Sequence, residues 1–190
     1  MKYVLPVLLL AALPAHAAGV VWDIIPEESS VRFSGVQAGD VPFEGEFTRF
    51  SARICFDERT IEETVAVFAF DVNGAVTGVD ERDEILRAEE WMNVEAYPGA
   101  AFEVTAVTRL GPNSYRAEGD LTLKGVTRAL AFPFTLNLVE NTATGSFTID
   151  RRDFNIGDGA WGETERWVAY PITVSFLIRA ETEGAPCDDR

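Results

Sequence analysis

Histidine is nearly missing from this chain. Its one copy, His16, falls in a stretch that reads as a leader, so the mature chain keeps no imidazole. That excludes a Ser-His-Asp triad, a Cys-His pair and His-ligated zinc or haem iron. Lysine is almost as scarce, with only Lys2 and Lys124. No G-x-x-x-x-G-K-[ST] run occurs, so a P-loop is excluded. The two cysteines, Cys55 and Cys187, are far apart and form no C-x-x-C redox motif. Basic charge is thin as well: 16 Lys and Arg stand against 31 Asp and Glu, a formal charge of −15. Such a balance repels nucleic-acid phosphates and anionic membrane surfaces. The cations present are nearly all arginine, which suits planar carboxylate pairing that ties down loops.

Lys2, the apolar Val4–Leu13 run and Ala15-His16-Ala17 together have the plan of a secretory signal peptide over residues 1–17, cleaved near Ala17. The apolar run is about half of the ~20 residues a spanning helix needs. No cysteine sits at the cleavage point, which argues against a lipid anchor. The expectation is a soluble exported protein, most simply periplasmic. Export places the cysteines in an oxidising compartment, where a Cys55–Cys187 bridge would pin the tail to a strand.

The rest of the chain alternates. The hairpin from Asp120 to Leu136 organises it: Leu121 and Leu123 lead in, Lys124-Gly125 turns, and Leu130, Phe132, Phe134 and Leu136 lead out with period two. Strands are expected over residues 20–25, 29–37, 41–50, 51–56, 64–72, 101–110, 115–124, 126–138, 144–152 and 167–180. Gly45 suggests a bend or bulge. Residues 64–72 are apolar on both faces, as in a strand covered on both sides. The polar excursion at 78–92 predicts one or two short helices with Ile85, Leu86, Trp91 and Met92 facing inward. The regular spacing argues an antiparallel all-β barrel or sandwich, one domain over residues 18–180, with an acidic C-terminal tail at 181–190.

Little on the polar side reads as chemistry. Gly157-Asp158-Gly159-Ala160-Trp161-Gly162 fits G-x-G-x-x-G, with Glu181 and Glu183 about 20 positions on. A dinucleotide fingerprint needs a helix after the last glycine, and a polar loop follows here instead. Asp80, Glu81, Asp83, Glu84, Glu89 and Glu90 leave a carboxylate-based hydrolase open. Asp71-Val72-Asn73-Gly74 and the Asp80 loop lack the ligand spacing of a calcium loop. What remains is an inward apolar set: Phe33, Phe47, Phe68, Phe70, Phe102, Leu121, Leu123, Phe132, Phe134, Leu136, Phe147, Val174 and Phe176. Periodicity alone leaves open whether these fill a core or line a ligand cavity.

Several pieces in order resemble the YceI-like family: Trp22-Asp23, Ser30–Ser34, Gly45-Glu46-Phe47, Ile54–Asp57, Arg82-Asp83, Trp91-Met92, Gly119–Arg128 and Arg151–Gly157. The resemblance implies a lipocalin-like antiparallel β-barrel in the periplasm, a binding protein rather than an enzyme. Its tunnel would hold a polyisoprenoid or isoprenoid quinone, with no metal or redox cofactor. It also suggests a cytochrome b561-type membrane partner. Many relatives carry histidines where this chain has Gln37 or its neighbours and where it has Ile85, which bears on the ligand headgroup. The headgroup is expected near Arg82, Asp83, Trp91, Arg152 and Trp161. The competing readings are a filled accessory module of a membrane complex and the hydrolase.

Overall fold

The computed structural model describes residues 19–187; the expected leader and its cleavage point, and residues 188–190, lie outside the described residues. Among them are eleven strands and one α-helix. In chain order these are β1 (Val20–Ile24), β2 (Ser30–Gln37), β3 (Val41–Phe47), β4 (Phe50–Phe56), β5 (Val65–Asp71), β6 (Ala75–Val76), α1 (Asp80–Arg87), β7 (Gly99–Gly111), β8 (Ser114–Leu123), β9 (Val126–Asn137), β10 (Thr142–Asp150) and β11 (Pro171–Pro186).

β8 shows why these segments are strands. Tyr115, Ala117, Leu121 and Leu123 are buried while Arg116, Glu118 and Asp120 are exposed, the period of a sheet with one wet face. Lys124 and Gly125 then take φ of 45° and 72°, and Leu123 pairs with Val126. Both turn residues at positive φ match the twist of a two-residue hairpin.

Eight strands close a ring in the order β1-β4-β5-β7-β8-β9-β10-β11, with β11 returning to β1. Every pairing is antiparallel. β2 takes the other half of β11, and β3 and β6 follow it. β1 and β2 therefore lie end to end along one long strand. The β9–β10 ladder stops at Phe134–Gly145, one residue short of Pro133, which has no N–H to donate. Beyond that point the Phe132 and Phe147 rings stack at 4.7 Å between the two strands.

Four expectations change. The 41–50 stretch breaks after Phe47, and β3 and β4 go to different partners. Gly45 makes no bulge: it pairs in register opposite Phe33, and a Cβ there would overlap that ring. β5 is covered on one face only, because Val65 and Val67 are exposed at 57% and 40%. Apolar side chains on an outer wall are ordinary, since surfaces are more than half apolar. β11 runs past Ala180 to Pro186 and pairs Glu181 with Asp23 and Thr182 with Trp22, so residues 181–186 of the expected tail are barrel wall.

The excursion holds one helix followed by turns over residues 88–97. Asp80, Glu81 and Asp83 occupy its first turn and Arg87 its last, which complements the helix dipole. Leu86, Trp91 and Met92 pack inward, whereas Ile85 is 45% exposed. At the far end Cys55 and Cys187 form a disulfide with Cα atoms 5.9 Å apart. It joins β4 to the residue after β11 across the short strand β1, where Val20 pairs with both Phe56 and Pro186.

Candidate functional site

A cavity of about 610 Å³ runs along the barrel axis. All thirteen apolar residues of the expected inward set line it. They come from β2, β3, β5, β7, β8, β9, β10 and β11, and Trp22 of β1 with Ile54 and Phe56 of β4 supply the rest of the ring. Small side chains leave the space: Ala66, Ala100, Ala117 and Ala143 also line it. Phe102, Phe147 and Phe176 surround Phe132 at centroid distances of 4.7–5.7 Å and fix its ring. Among the described residues no carboxylate lines the cavity, and the arginines that do are Arg82 and Arg151.

The two ends differ. One end, here the mouth, gathers the β2–β3 and β8–β9 hairpin tips, α1 and the loop from Arg151 to Tyr170. Ile85 and Trp167, at 45% and 50% exposure, belong both to the lining and to the outer surface here. The other end, the floor, is covered by the turn at Glu58–Glu63, whose Ile61 is 3% exposed and packs with Val107 and Tyr115.

Arg151 organises the mouth. It is 1% exposed, and its guanidinium donates to the carbonyls of Ile156 (2.8 Å), Gly157 (3.1 Å), Trp161 (2.7 Å), Val168 (3.0 Å) and Ala169 (3.3 Å). Its carbon lies 5.5 Å from the Trp91 ring and 5.2 Å from that of Tyr170. Burial pulls its pKa down from the ordinary arginine value. Carbonyl partners satisfy its donors without a counter-charge, so it is a structural cation rather than a free one. The glycine-rich run is explained by the same residue. Gly157 has φ of 73°, and a Cβ there would overlap the guanidinium.

Lys124, at the tip of the organising hairpin, completes the clamp. Its Nζ donates to Asn155 O at 2.6 Å and Glu90 O at 3.2 Å, and lies 3.4 Å from the Asp158 carboxylate. Glu90 O also accepts from Gly157 N and Asp158 N. One hairpin tip, the turn after α1 and the late loop are thus tied at one carbonyl.

Of the five residues expected at a headgroup, Arg82, Trp91 and Trp161 line the cavity. Arg82 lies 5.7 Å from the Phe43 ring, and Trp91 and Trp161 form a T-shaped pair at 5.6 Å. Asp83 and Arg152 do not reach the cavity. Asp83 is buried and accepts from Thr77 N and Oγ1 at 2.7 and 2.6 Å, tying α1 to the segment before it. Arg152 points outward, pairs with Asp150 and lies over Tyr170 at 3.6 Å. Sequence reasoning chose the wrong member of the Arg151-Arg152 pair. It also passed over Trp22, Phe43, Ile54, Phe56 and Thr64 as lining residues.

Three buried side-chain polar atoms find no hydrogen-bond partner among the described residues: Trp22 Nε1, Thr64 Oγ1 and Trp91 Nε1. All three belong to cavity-lining residues. Asp57, Asp71 and Asp150 are each held below the usual carboxylate range, chiefly by hydrogen bonds from Arg59, Arg49 and Arg152. Asp71 also accepts from Asn73 N, so its loop is closed on itself rather than arranged around a cation. A general acid would require the opposite shift.

Fold and cavity together define a closed antiparallel β-barrel with an apolar interior open at one end. The chain belongs to the YceI-like family: the YceI-like domain model matches residues 22–180. Among curated proteins it is 36% identical over 126 residues to a UPF0312 protein of Photorhabdus laumondii, a match covering 64% of this chain and 62% of that one. Among solved structures it is similar to Burkholderia cenocepacia BcnA, with a TM-score of 0.78 and 29% identity over 84% of this chain and 100% of that one. The fold is shared with a polyisoprenoid binding domain from Saccharophagus degradans, implicated in plant cell wall breakdown (TM-score 0.69, 18% identity, 86% of this chain and 99% of that one).

Proposed function

We propose that this protein is an exported carrier that holds an isoprenoid lipid, a polyisoprenoid or an isoprenoid quinone, in the barrel cavity. One observation carries the reading: a cavity of about 610 Å³ whose lining is almost wholly aliphatic and aromatic. Burial of a hydrocarbon chain is worth roughly 0.8 kcal/mol per CH₂, so affinity accumulates along such a wall without specific contacts. The name of the Saccharophagus domain supports the ligand class by analogy. A filled accessory module is disfavoured by the cavity itself. The hydrolase is disfavoured because no carboxylate among the described residues lines the cavity. The leader-like N-terminus and the disulfide both favour the periplasm, where such bonds form and persist. A cytochrome b561-type membrane protein is the partner to which a quinone-loaded carrier would deliver.

Native mass spectrometry of protein taken from its own periplasm, with organic extraction, tests this. A discrete added mass that solvent releases and fragmentation identifies as isoprenoid is the expected result. A clean apo mass, followed by failure of isoprenoid quinones and polyprenols to bind on titration, would overturn the carrier reading.

A further inference from the structure

The floor of the cavity is not uniformly apolar. Trp22 lies in β1, opposite Ile54 of β4. Thr64 immediately precedes β5, whose Val65 pairs with Cys55 of the same β4. The indole N–H and the hydroxyl therefore flank one strand at the closed end. Both residues line the cavity, and both atoms are sealed from solvent without a partner among the described residues. A buried donor left unmade is costly, and two on the segments flanking one strand call for an explanation. The mouth shows the converse. Ile85 and Trp167, exposed and apolar, form its edge, and the guanidinium of Arg151 is already taken up by five carbonyls.

From this pairing we infer that the floor is a hydrogen-bond-donor subsite and that the ligand enters oxygen-first. A neutral acceptor, of the carbonyl type, meets Trp22 Nε1 and Thr64 Oγ1, while the hydrocarbon chain runs along the barrel and leaves over Ile85 and Trp167. The acceptor is neutral because the cavity's cations, Arg82 and Arg151, both sit at the mouth, so a carboxylate or phosphate would be buried at the floor without a counter-charge. Chain length is then set by no wall, because the tail emerges. Among the described residues Trp91 Nε1 is the buried donor without a partner at the other end, and it defines the competing orientation. The inference rests on the carrier reading and adds the head chemistry and direction of its ligand.

Titration of the full mature chain with decyl-substituted 1,4-benzoquinone and with decylbenzene tests it. The two probes share a tail, and only one carries acceptors. The wild type is expected to prefer the quinone. In W22F/T64V the ratio of the two affinities falls roughly tenfold or more, about the worth of two lost hydrogen bonds. T64V alone, a near-isosteric change, keeps the test valid if the double variant folds poorly, with a fall of roughly fivefold. Quinone quenching of tryptophan emission is a second readout, and W22F should lose more of it than W91F. An unchanged affinity ratio with both probes still binding overturns the floor subsite and leaves the carrier intact. A larger loss of quinone preference in W91F than in W22F/T64V overturns the orientation. Failure of both probes to bind the wild type overturns the carrier reading and this one with it.

Discussion

The mouth and the floor of this barrel are closed by different kinds of bond. At the mouth, Arg151 and Lys124 hold loops through donors shared among seven backbone carbonyls. At the floor, β1 is laddered on both sides and a disulfide crosses it. Side-chain clamps on loops can open by exchanging one carbonyl for water. A covalent bond across a laddered strand cannot. The two ends thus differ in how readily they open locally while the ring stays closed.

The largest way to break this contrast is to cut the covalent end. Removing a native disulfide that closes 132 residues of sequence should cost about 4 kcal/mol in C55S/C187S. Urea denaturation measures the loss. Amide exchange should place it in β1 and the 179–186 part of β11, with the Arg151–Tyr170 loop unchanged. Equal loss of protection at both ends would remove the distinction.

Next comes the mouth. R151M keeps the bulk of the side chain but strands five carbonyls, and about 3 kcal/mol should be lost. Exchange should now rise in residues 151–170 and leave β1 alone. The tryptophan emission of Trp91, Trp161 and Trp167 should shift to the red as that cluster loosens, and an unchanged spectrum would show that Arg151 does not hold it.

Why Arg151 escaped sequence reasoning is instructive. Period two reads strands well, and it placed every one of the thirteen inward apolar residues on the cavity wall. Its phase is valid only while the strand lasts. β10 ends at Asp150, and the turn at Arg151–Phe154 resets which side faces in. Two adjacent arginines are then chemically identical on paper and opposite in space. The acidic run after Ala180 misled for a related reason: Glu181 reads as tail composition, yet an outward position on a paired strand tolerates a charge as readily. Donors at the floor left no trace, because a lone Trp in a five-residue strand and a Thr before another have no periodic signature. The Cys55–Cys187 pair was legible because the chain has two cysteines and a leader-like start that suggests an oxidising compartment.

A smaller effect sharpens the mouth. Lys124 has 8% of its side-chain surface exposed and ties the hairpin tip to Glu90 and Asn155. K124M keeps the stem and removes the donors, for about 1–2 kcal/mol. Amide exchange at Gly157 and Asp158, which share the Glu90 carbonyl, should quicken before any other site. Exchange that stays slow there would assign the clamp to Arg151 alone.

The smallest effect asks whether charge contributes to the difference between the ends. Each end carries the same device. Asp57 accepts from Arg59 N at 2.8 Å and from its guanidinium, capping the floor turn. Asp150 accepts from Arg152 N at 2.9 Å and from its guanidinium, capping the turn that starts the mouth loop. Both carboxyls are held below the ordinary aspartate range, first of all by the arginine's side-chain hydrogen bond. A depressed folded-state pKa gives stability that is complete above the unfolded value, near 3.9, and is lost as pH falls through the lower folded value. Acid below about pH 4 should therefore weaken the two ends alike. D57N and D150N should each flatten the acid limb of the stability–pH curve by similar small amounts, with no change at pH 7 in the order in which the ends open. A D150N effect several times that of D57N would mean that charge, and not only carbonyl clamping, distinguishes the mouth.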